Sequence, residues 1–168
     1  MVDVFGFDFS RPLAQLREYV EIVRPLLQTG AVDVQGAFYT ARNAKIADPP
    51  GTPVLISALR APAFELAGEL TDGAISWLCP PGHLLRQAIP ALAAGANRAG
   101  RPRPPLIAHV PVALSADRSA VYAAAKEQLA GYAAAPFYAR MFADAGRPLD
   151  AEGRITDGLL DVLLVHGT

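Results

Sequence analysis

Apolar residues recur at spacings of three and four in the first well-patterned part of the chain, between Ser10 and Gly30. This spacing places them along one side of an α-helix and leaves the charged residues on the other side. Ser10 is a suitable N-cap, and Pro12 fits the first turn, where a missing amide hydrogen costs nothing. Pro25 removes one helical hydrogen bond, so the last turn is expected to kink or fray before Gly30 ends the helix. The apolar stripe consists of Leu13, Leu16, Val20, Val23 and Leu27.

The two segments that follow this helix have no helical periodicity. Residues 32–39 alternate apolar and polar side chains around Gly36, which favours a small hairpin or an excursion of the chain over a core strand. Residues 42–52 are polar and contain Pro49, Pro50 and Gly51, so they are expected to form a loop.

Three short apolar runs follow, at residues 54–56, 74–78 and 106–114. Continuous runs of this kind are typical of strands that are buried on both faces of a parallel sheet. Helical patterns separate them, over about residues 62–70 and 84–99, and Pro90 interrupts the second helix. The alternation of strand and helix predicts an α/β fold with right-handed crossovers, in which the three runs are neighbouring parallel strands.

The last third of the chain predicts two more helices and a final mixed element. Ser115 is a suitable N-cap for a helix that extends to about residue 132, and a shorter helix is expected over residues 136–145. After a loop at residues 147–154, residues 157–165 are apolar enough for a short helix that runs into a strand or into the core. We therefore expect one α/β domain over residues 1–168.

Composition and motifs exclude several functional classes. The chain is 52% hydrophobic with a formal net charge of −1, so it can bury a core but offers no basic surface for nucleic acid. Cys79 is the only cysteine and the histidines are scattered, so neither a disulfide framework nor a metal site is expected. Residues 1–9 carry no export signal and no apolar stretch is long enough to span a membrane, which favours a cytoplasmic protein. No triad order, paired-carboxylate motif, Walker loop or GxGxxG supports a hydrolase, a kinase or a Rossmann-type nucleotide-binding protein.

Several segments resemble, in order, the luciferase-like monooxygenase family of flavin- or deazaflavin-dependent enzymes. Residues 11–20, RPLAQLREYV, resemble the family's RP…LREYV helix, and residues 36–39, GAFY, resemble the G-x-F/Y turn that follows it. Residues 53–59 joined to residues 66–73, LAGELTDG, resemble the P-V-x-x-x-A-L…LAGE-x-ADG block, which is the most specific match. Two later segments also resemble the family, so that nearly the whole chain is covered: residues 106–114 and 156–167.

The resemblance implies a TIM-type (β/α)8 barrel with parallel strands and outer helices. A complete barrel of this type needs about 250 residues, so the resemblance also implies a truncated barrel that lacks the family's first four strands and its last strand. An incomplete barrel leaves two strand edges and one sheet face without partners. We therefore expect exposed apolar surface and a homo-oligomer, a dimer, although an open half-barrel and marginal stability are also compatible with the sequence.

The resemblance further implies a cofactor, FMN or coenzyme F420, at the carboxyl ends of the strands. The loop after the first apolar run corresponds to the family's loop near the cofactor phosphate, where amides at the start of the next helix are available as donors. Many relatives have glycine and proline where Arg60 and Ala61 stand, and an arginine there can compensate as a charge partner for the phosphate. The residues implied to bind the cofactor are Ser57, Ala58, Leu59, Arg60 and Trp77, and the residue implied to bind the substrate is His109.

Each of these residues also has a purely structural interpretation. Arg60 is as compatible with a solvated loop residue as with a phosphate ligand. Trp77 at the end of a strand is more typical of core packing than of a flavin contact. His109 is more typical of a satisfied buried histidine, and Cys79 is expected to be an inert thiol. No catalytic acid or base is assigned.

Three functional hypotheses remain at this point. The first is an oxidoreductase or monooxygenase that uses reduced FMN or coenzyme F420 on a small organic substrate, with the cofactor supplying the chemistry. The second is a catalytically inactive barrel fragment that persists as an oligomer or as a partner-bound remnant. The third is an open α/β domain of flavodoxin-like shape that binds a phosphorylated ligand at a strand-end crevice and has helices on both sheet faces.

Overall fold

The computed structural model describes residues 10–168; residues 1–9, in which the sequence shows no export signal, lie outside the described residues. None of the helices in the described part is long and apolar enough to cross a lipid bilayer. Helices and strands alternate through most of the chain. In chain order the elements are α1 (Pro12–Thr29), β1 (Ala31–Gln35), β2 (Thr40–Lys45), β3 (Leu55–Ser57), α2 (Ala61–Leu70), β4 (Gly73–Trp77), α3 (Pro81–His83), a π-helical segment (Leu84–Ala88), α4 (Ile89–Arg98), β5 (Leu106–His109), β6 (Val112–Leu114), α5 (Arg118–Ala133), α6 (Pro136–Asp144), α7 (Asp157–Leu163) and β7 (Val165–Gly167).

The central sheet is parallel and has the order β3-β4-β5. Ile56 pairs with Ala74 between the first two strands, and Trp77 pairs with His109 between the second and the third. Each crossover contains a helix, as parallel pairing requires. The prediction that the three apolar runs are neighbouring parallel strands is therefore confirmed.

The run at residues 106–114 forms two strands and not the single strand that the sequence predicts. Val110 and Pro111 separate β5 from β6, because proline has no amide hydrogen to donate to a ladder. The chain then changes partner: β5 pairs with β4, whereas β6 pairs in parallel with β7. The amide of Val165 donates to the Pro111 carbonyl at 3.0 Å, directly beside the break. The pairings thus give four successive parallel strand positions: β3, β4, β5 with β6, and β7.

One face of the β3-β4-β5 sheet is sealed by helices α2 and α4. Ile56, Ala74 and Ser76 point to this side and are buried. The two helices approach so closely that glycine is needed in each. A Cβ on Gly68 would lie 2.0 Å from the carbonyl oxygen of Leu92, and a Cβ on Gly95 would lie 1.9 Å from that of Glu65.

The other face of the same sheet is largely open. Paired residues of a parallel sheet share a face, so the register places Ser57, Ile75, Trp77, Ile107 and His109 together on this side. Ser57, Ile107 and His109 are exposed. An open sheet with helices on both faces, the flavodoxin-like alternative, does not match this arrangement within residues 10–168.

Helix α1 packs beside α2 with the buried Val20 in the same apolar cluster as Phe64, and its charged side chains form further contacts. Both terminal nitrogens of Arg17 donate to Glu69 at 2.7 Å. Arg24 donates to Asp72, and its shortest bond is 2.7 Å. The N-cap is Arg11 and not Ser10 as predicted, and the helix continues through Pro25 without ending early. Gly30 ends it with a φ of 82°, a left-handed conformation that favours glycine.

The predicted hairpin is present but longer than expected. Strands β1 and β2 are antiparallel, and their connection is held by the Glu18 carboxylate, which accepts hydrogen bonds from three successive amides at 2.8–3.0 Å. Residues 42–45, which were expected to be loop, belong to β2. Their polar composition hid the strand, because this hairpin lies outside the sheet and its ladder needs no apolar face.

Helices α5, α6 and α7 form a second core beside the strand ends. The N-cap of α5 is Asp117, whose carboxylate accepts from the amide of Ala120 at 3.0 Å, so the predicted cap at Ser115 is wrong by two residues. Thr156 caps α7 in the same way, through the amide of Leu159 at 3.1 Å. The predicted short helix at the end of the chain is confirmed, and of the two continuations left open, strand or core, the structure has a strand.

Candidate functional site

The carboxyl ends of β3, β4 and β5 meet at one edge of the sheet, because the strands are parallel. Ser57, Trp77 and His109 are the last residues of these strands and all lie on the open face. The structure thus brings together three residues that the sequence singled out separately. His109 is exposed, so its interpretation as a satisfied buried histidine is wrong.

The loop after β3 is anchored at each residue to a different part of the protein. The amide of Ala58 donates to the Ile75 carbonyl of β4 at 2.9 Å, and Ala58 is buried. The Leu59 carbonyl accepts from Nε2 of His83 at 3.0 Å. The Arg60 carbonyl accepts from the amide of Ala63 at 3.0 Å and so begins helix α2. This loop is therefore held rigidly before any ligand is considered.

The loop also carries two amides that form no backbone hydrogen bond within the described part of the chain. The amides of Leu59 and Arg60 donate to no backbone carbonyl within residues 10–168. They lie directly before α2, a helix of 10 residues whose N-terminal end is a favourable position for an anion. Arg60 is the N-cap, and its side chain does not cap the helix.

The side chain of Arg60 forms an ion pair with Asp144 at the end of α6. Nε lies 3.1 Å from Oδ2 of the aspartate, and the arginine side chain is 38% exposed. The sequence left open a phosphate ligand or a solvated loop residue. The observed pair differs from both, because the guanidinium is accessible but already has an anionic partner.

Trp77 connects the sheet to the second core. Its ring is inclined by 73° and 66° to those of His109 and Tyr132, with ring centres 6.3 Å and 6.2 Å away. It packs against the cluster formed by α5, α6 and α7, as the core-packing interpretation expects. Its Nε1 atom is nevertheless buried without a hydrogen-bond partner within the described residues, which is unusual for an indole donor.

The connection after β4 departs twice from regular backbone geometry. Leu78 has a φ of 55° although it is a bulky, fully buried residue. A left-handed conformation of this kind costs about 1–3 kcal/mol, and such residues cluster at functional sites. A π-helical segment follows at Leu84–Ala88, where Pro90 has no amide hydrogen for the carbonyl one turn earlier.

Two groups near this connection are chemically quiet. Burial raises the pKa of the Cys79 thiol to about 12, so the thiolate is scarce at neutral pH. This agrees with the interpretation of Cys79 as an inert thiol. Burial also raises the pKa of Tyr138 to about 12, so its phenol stays protonated.

Sequence reasoning missed His83, to which it gave no role. The residue ends the short helix α3 and is 1% exposed, and its side chain donates a hydrogen bond to the Leu59 carbonyl in the loop after β3. Its Nδ1 atom is buried without a partner within residues 10–168. Pro81 in the first turn and the apolar Leu84 beside the histidine were signals for a buried helix start.

A further cleft lies away from the strand ends. It has a volume of about 780 Å³ and runs between α5 and the loop at residues 150–155. Of its acidic side chains, Asp150 and Glu152 form ion pairs with Arg154, and Glu127 forms none within the described residues. No three His, Cys, Asp or Glu side chains of residues 10–168 come together as a metal site. The strand ends remain the stronger candidate, because unused donors and strained backbone coincide there.

Comparison with known proteins shows the family. The family model described as luciferase-like monooxygenase matches residues 1–168. The 5,10-methylenetetrahydromethanopterin reductase of Archaeoglobus fulgidus is 37% identical over 71 residues, which cover 42% of this chain and 21% of that protein. The F420-dependent glucose-6-phosphate dehydrogenase of Mycolicibacterium fortuitum is 37% identical over 100 residues, which cover 56% of this chain and 29% of that protein.

Solved structures agree in fold. An F420-dependent secondary alcohol dehydrogenase in complex with an F420-acetone adduct superposes with a TM-score of 0.77 at 18% identity, over 99% of this chain and 52% of that one. The coenzyme F420-dependent tetrahydromethanopterin reductase of Methanopyrus kandleri gives 0.63 at 18%, over 94% and 58%. The chain thus spans about half the length of these structures, and its matched segments span less than a third of the curated relatives. The protein belongs to the luciferase-like monooxygenase family.

Proposed function

We propose that this chain forms part of the cofactor site of an F420-dependent oxidoreductase that acts on a small organic substrate. One observation carries the proposal: Ser57, Trp77 and His109 meet at the carboxyl ends of parallel strands, beside a rigid loop with unused amides. The relatives named above are F420-dependent or reduce a pterin, which favours F420 over FMN.

The residues present fit a phosphorylated cofactor. The amides of Leu59 and Arg60 offer donors at the start of α2, with Ser57 and Ala58 completing the loop. Arg60 adds a positive charge if it exchanges Asp144 for the phosphate. When bound, F420 supplies hydride transfer to or from the substrate.

The remaining side chains orient and enclose. Trp77 lies on the open sheet face beside His109, and its half-buried aromatic ring is suited to border a flat ring system. His109 lies next to it and is exposed, so it is placed to contact the substrate. The second core behind Trp77 excludes water from one side of the site.

Ligand titration tests this proposal. Purified protein is titrated separately with F420 and with FMN while cofactor fluorescence and thermal unfolding are followed. We expect saturable binding of F420, with weaker binding of FMN. An Arg118→Gln variant is the control for the loss of one positive charge, because Arg118 of α5 pairs with Asp161 of α7, away from the loop after β3. The proposal for this chain would be overturned if F420 did not bind at concentrations up to roughly tens of micromolar, which corresponds to a binding free energy of about 6 kcal/mol.

A second candidate function is an inactive barrel fragment that persists as a dimer or beside another partner. Exposed apolar residues on the open strands favour it: Leu114 is 92% exposed, and Val112 and Val165 are exposed as well. Two copies related by a twofold axis along the strands would supply eight parallel strand positions and remove both free edges. Light scattering decides this, since a monomer across the titration concentrations contradicts it.

A further inference from the structure

We propose that His83 is a positioning residue for the cofactor phosphate, acting through the peptide unit between Leu59 and Arg60. This inference rests on the proposed function and names a residue outside the loop that would determine phosphate affinity. It starts from the hydrogen bond of 3.0 Å between Nε2 of His83 and the carbonyl oxygen of Leu59.

The bond fixes the protonation pattern of the ring. A carbonyl oxygen only accepts, so Nε2 carries the hydrogen and donates it. In the neutral ring Nδ1 is then an acceptor, and it meets no donor within residues 10–168. Within residues 10–168 the His83 ring therefore makes one hydrogen bond, and its partner is the Leu59 carbonyl in the loop after β3.

The same bond fixes the direction of a donor on the other side of the loop. The carbonyl of Leu59 and the amide of Arg60 belong to one planar trans peptide unit, in which C=O and N–H point in opposite directions. When His83 holds the oxygen, the Arg60 N–H is directed away from α3. This amide donates to no backbone carbonyl within the described residues and lies at the start of α2, where the phosphate is proposed to bind.

The surroundings keep this geometry from relaxing. His83 is 1% exposed, so no solvent replaces its bond to Leu59. Ala58 is tied to β4 on one side of the peptide unit, and the Arg60 carbonyl is committed to α2 on the other. Without the His83 donor, the peptide unit between Leu59 and Arg60 has no hydrogen bond within residues 10–168 to fix its orientation.

The test compares each cofactor with its phosphate-free counterpart. F420 is titrated against the deazaflavin riboside, which keeps the ring system but lacks the phosphate and the tail attached to it, and FMN is titrated against riboflavin, which lacks the phosphate alone. Wild-type protein is expected to prefer the phosphorylated partner. His83→Leu removes the donor and keeps the volume, and should reduce this preference by about tenfold while affinity for the phosphate-free ligand changes by less than about twofold.

Three variants separate positioning from general destabilisation. His83→Gln keeps an N–H at similar reach and should retain most of the preference. His83→Asn, whose shorter amide matches Nδ1, should lose it and replaces His83→Leu if that variant does not fold. Thr71→Val is the matched control: Thr71 is fully buried and bonded to two carbonyls at the opposite end of β4, so its loss should lower stability and leave the preference unchanged.

The outcomes distinguish this inference from the proposed function. A wild-type protein that binds neither cofactor overturns both. A wild-type protein with a clear phosphate preference, which His83→Leu or His83→Asn retains, overturns the role of His83 alone. Loss of the preference in His83→Gln together with normal folding would also contradict it, because the donor is still present.

Discussion

The two faces of the parallel sheet differ in how they are covered. On the covered face, α2 and α4 meet at glycines and leave Ile56 and Ala74 buried. On the open face, side chains of the same sheet, including Ile107 and His109, reach the solvent. The contrast indicates that the covered face carries the stability of this sheet, whereas the open face and its carboxyl edge are available for ligands or partners.

The largest expected effect comes from disturbing the helix contact of the covered face. Gly95→Ala puts a Cβ 1.9 Å from the Glu65 carbonyl oxygen, and a backbone atom cannot move aside by rotation. We expect the free energy of unfolding in urea to fall by about 3 kcal/mol or more. Gly131→Ala on α5, where nothing lies within 4 Å, is the control and should stabilise by about 0.5–1 kcal/mol. A neutral Gly95→Ala would show that the sheet is not sealed as described.

A matched pair of isoleucines compares the two faces directly. Ile56 is 7% exposed on the covered face, and Ile107 is 42% exposed on the open face. Ile56→Ala should lower the free energy of unfolding by about 2–3 kcal/mol, and Ile107→Ala by less than about 1 kcal/mol. Equal losses in the free energy of unfolding, measured by urea titration at low protein concentration, would mean that the open face is covered in solution. Repeating the titrations at higher protein concentration shows whether a second copy covers it.

The fold was largely predictable from the sequence because each central strand is a continuous apolar run between helices. Residues 54–56 and 74–78 could be assigned on that pattern alone. The break between β5 and β6 at Pro111 could not be assigned in this way, since the residues around it are as apolar as the strands themselves. Strand β2 was not predicted because it pairs with β1 outside the central sheet. Its sequence therefore lacks the alternation of apolar and polar residues that distinguishes a strand from a loop.

The site was predictable only in part. Parallel strands imply that Ser57, Trp77 and His109 end at one edge, but not that all three share a face, which depends on the register. The partner of Arg60 could not be foreseen, because Asp144 is 84 residues away in the chain. His83 illustrates the same limit, since its role depends on a contact with Leu59 that no local pattern encodes.

Acid sharpens the comparison by testing the ionic contacts at the rim of the covered face. Hydrogen bonds from Arg24 lower the pKa of Asp72 below its ordinary value of 3.8, and the amide of Val54 adds to this. A lowered pKa means that the carboxylate contributes stability above pH 3.8, which is lost as pH falls through the folded-state pKa. Asp72→Asn should therefore cost about 1 kcal/mol at pH 7, and the difference from wild type should shrink below pH 4.

The control for this titration is Asp33→Asn, which removes an exposed carboxylate of the hairpin. It should leave the acid dependence of unfolding unchanged. A wild-type and Asp72→Asn difference that stays constant from pH 7 to pH 3 would contradict an ionic contribution from this carboxylate.

The smallest expected effect concerns the carboxyl edge, where the ion pair of Arg60 bears on ligand binding. The pair with Asp144 is exposed, so Asp144→Asn should change the free energy of unfolding by less than about 0.5 kcal/mol. If Arg60 exchanges this partner for a phosphate, removing the aspartate frees the guanidinium. F420 should then bind about two- to threefold more tightly, and the gain should fade with added salt.

Arg60→Gln is the complementary change and should weaken F420 binding while leaving the phosphate-free deazaflavin riboside unaffected. Asp161→Asn breaks an exposed ion pair of the same kind on α7 and serves as the control. The phosphate role of Arg60 is wrong if Asp144→Asn weakens binding, because the aspartate would then hold the loop in its binding geometry. In that case the ion pair belongs with the contacts of Ala58 and Leu59 that keep this edge rigid.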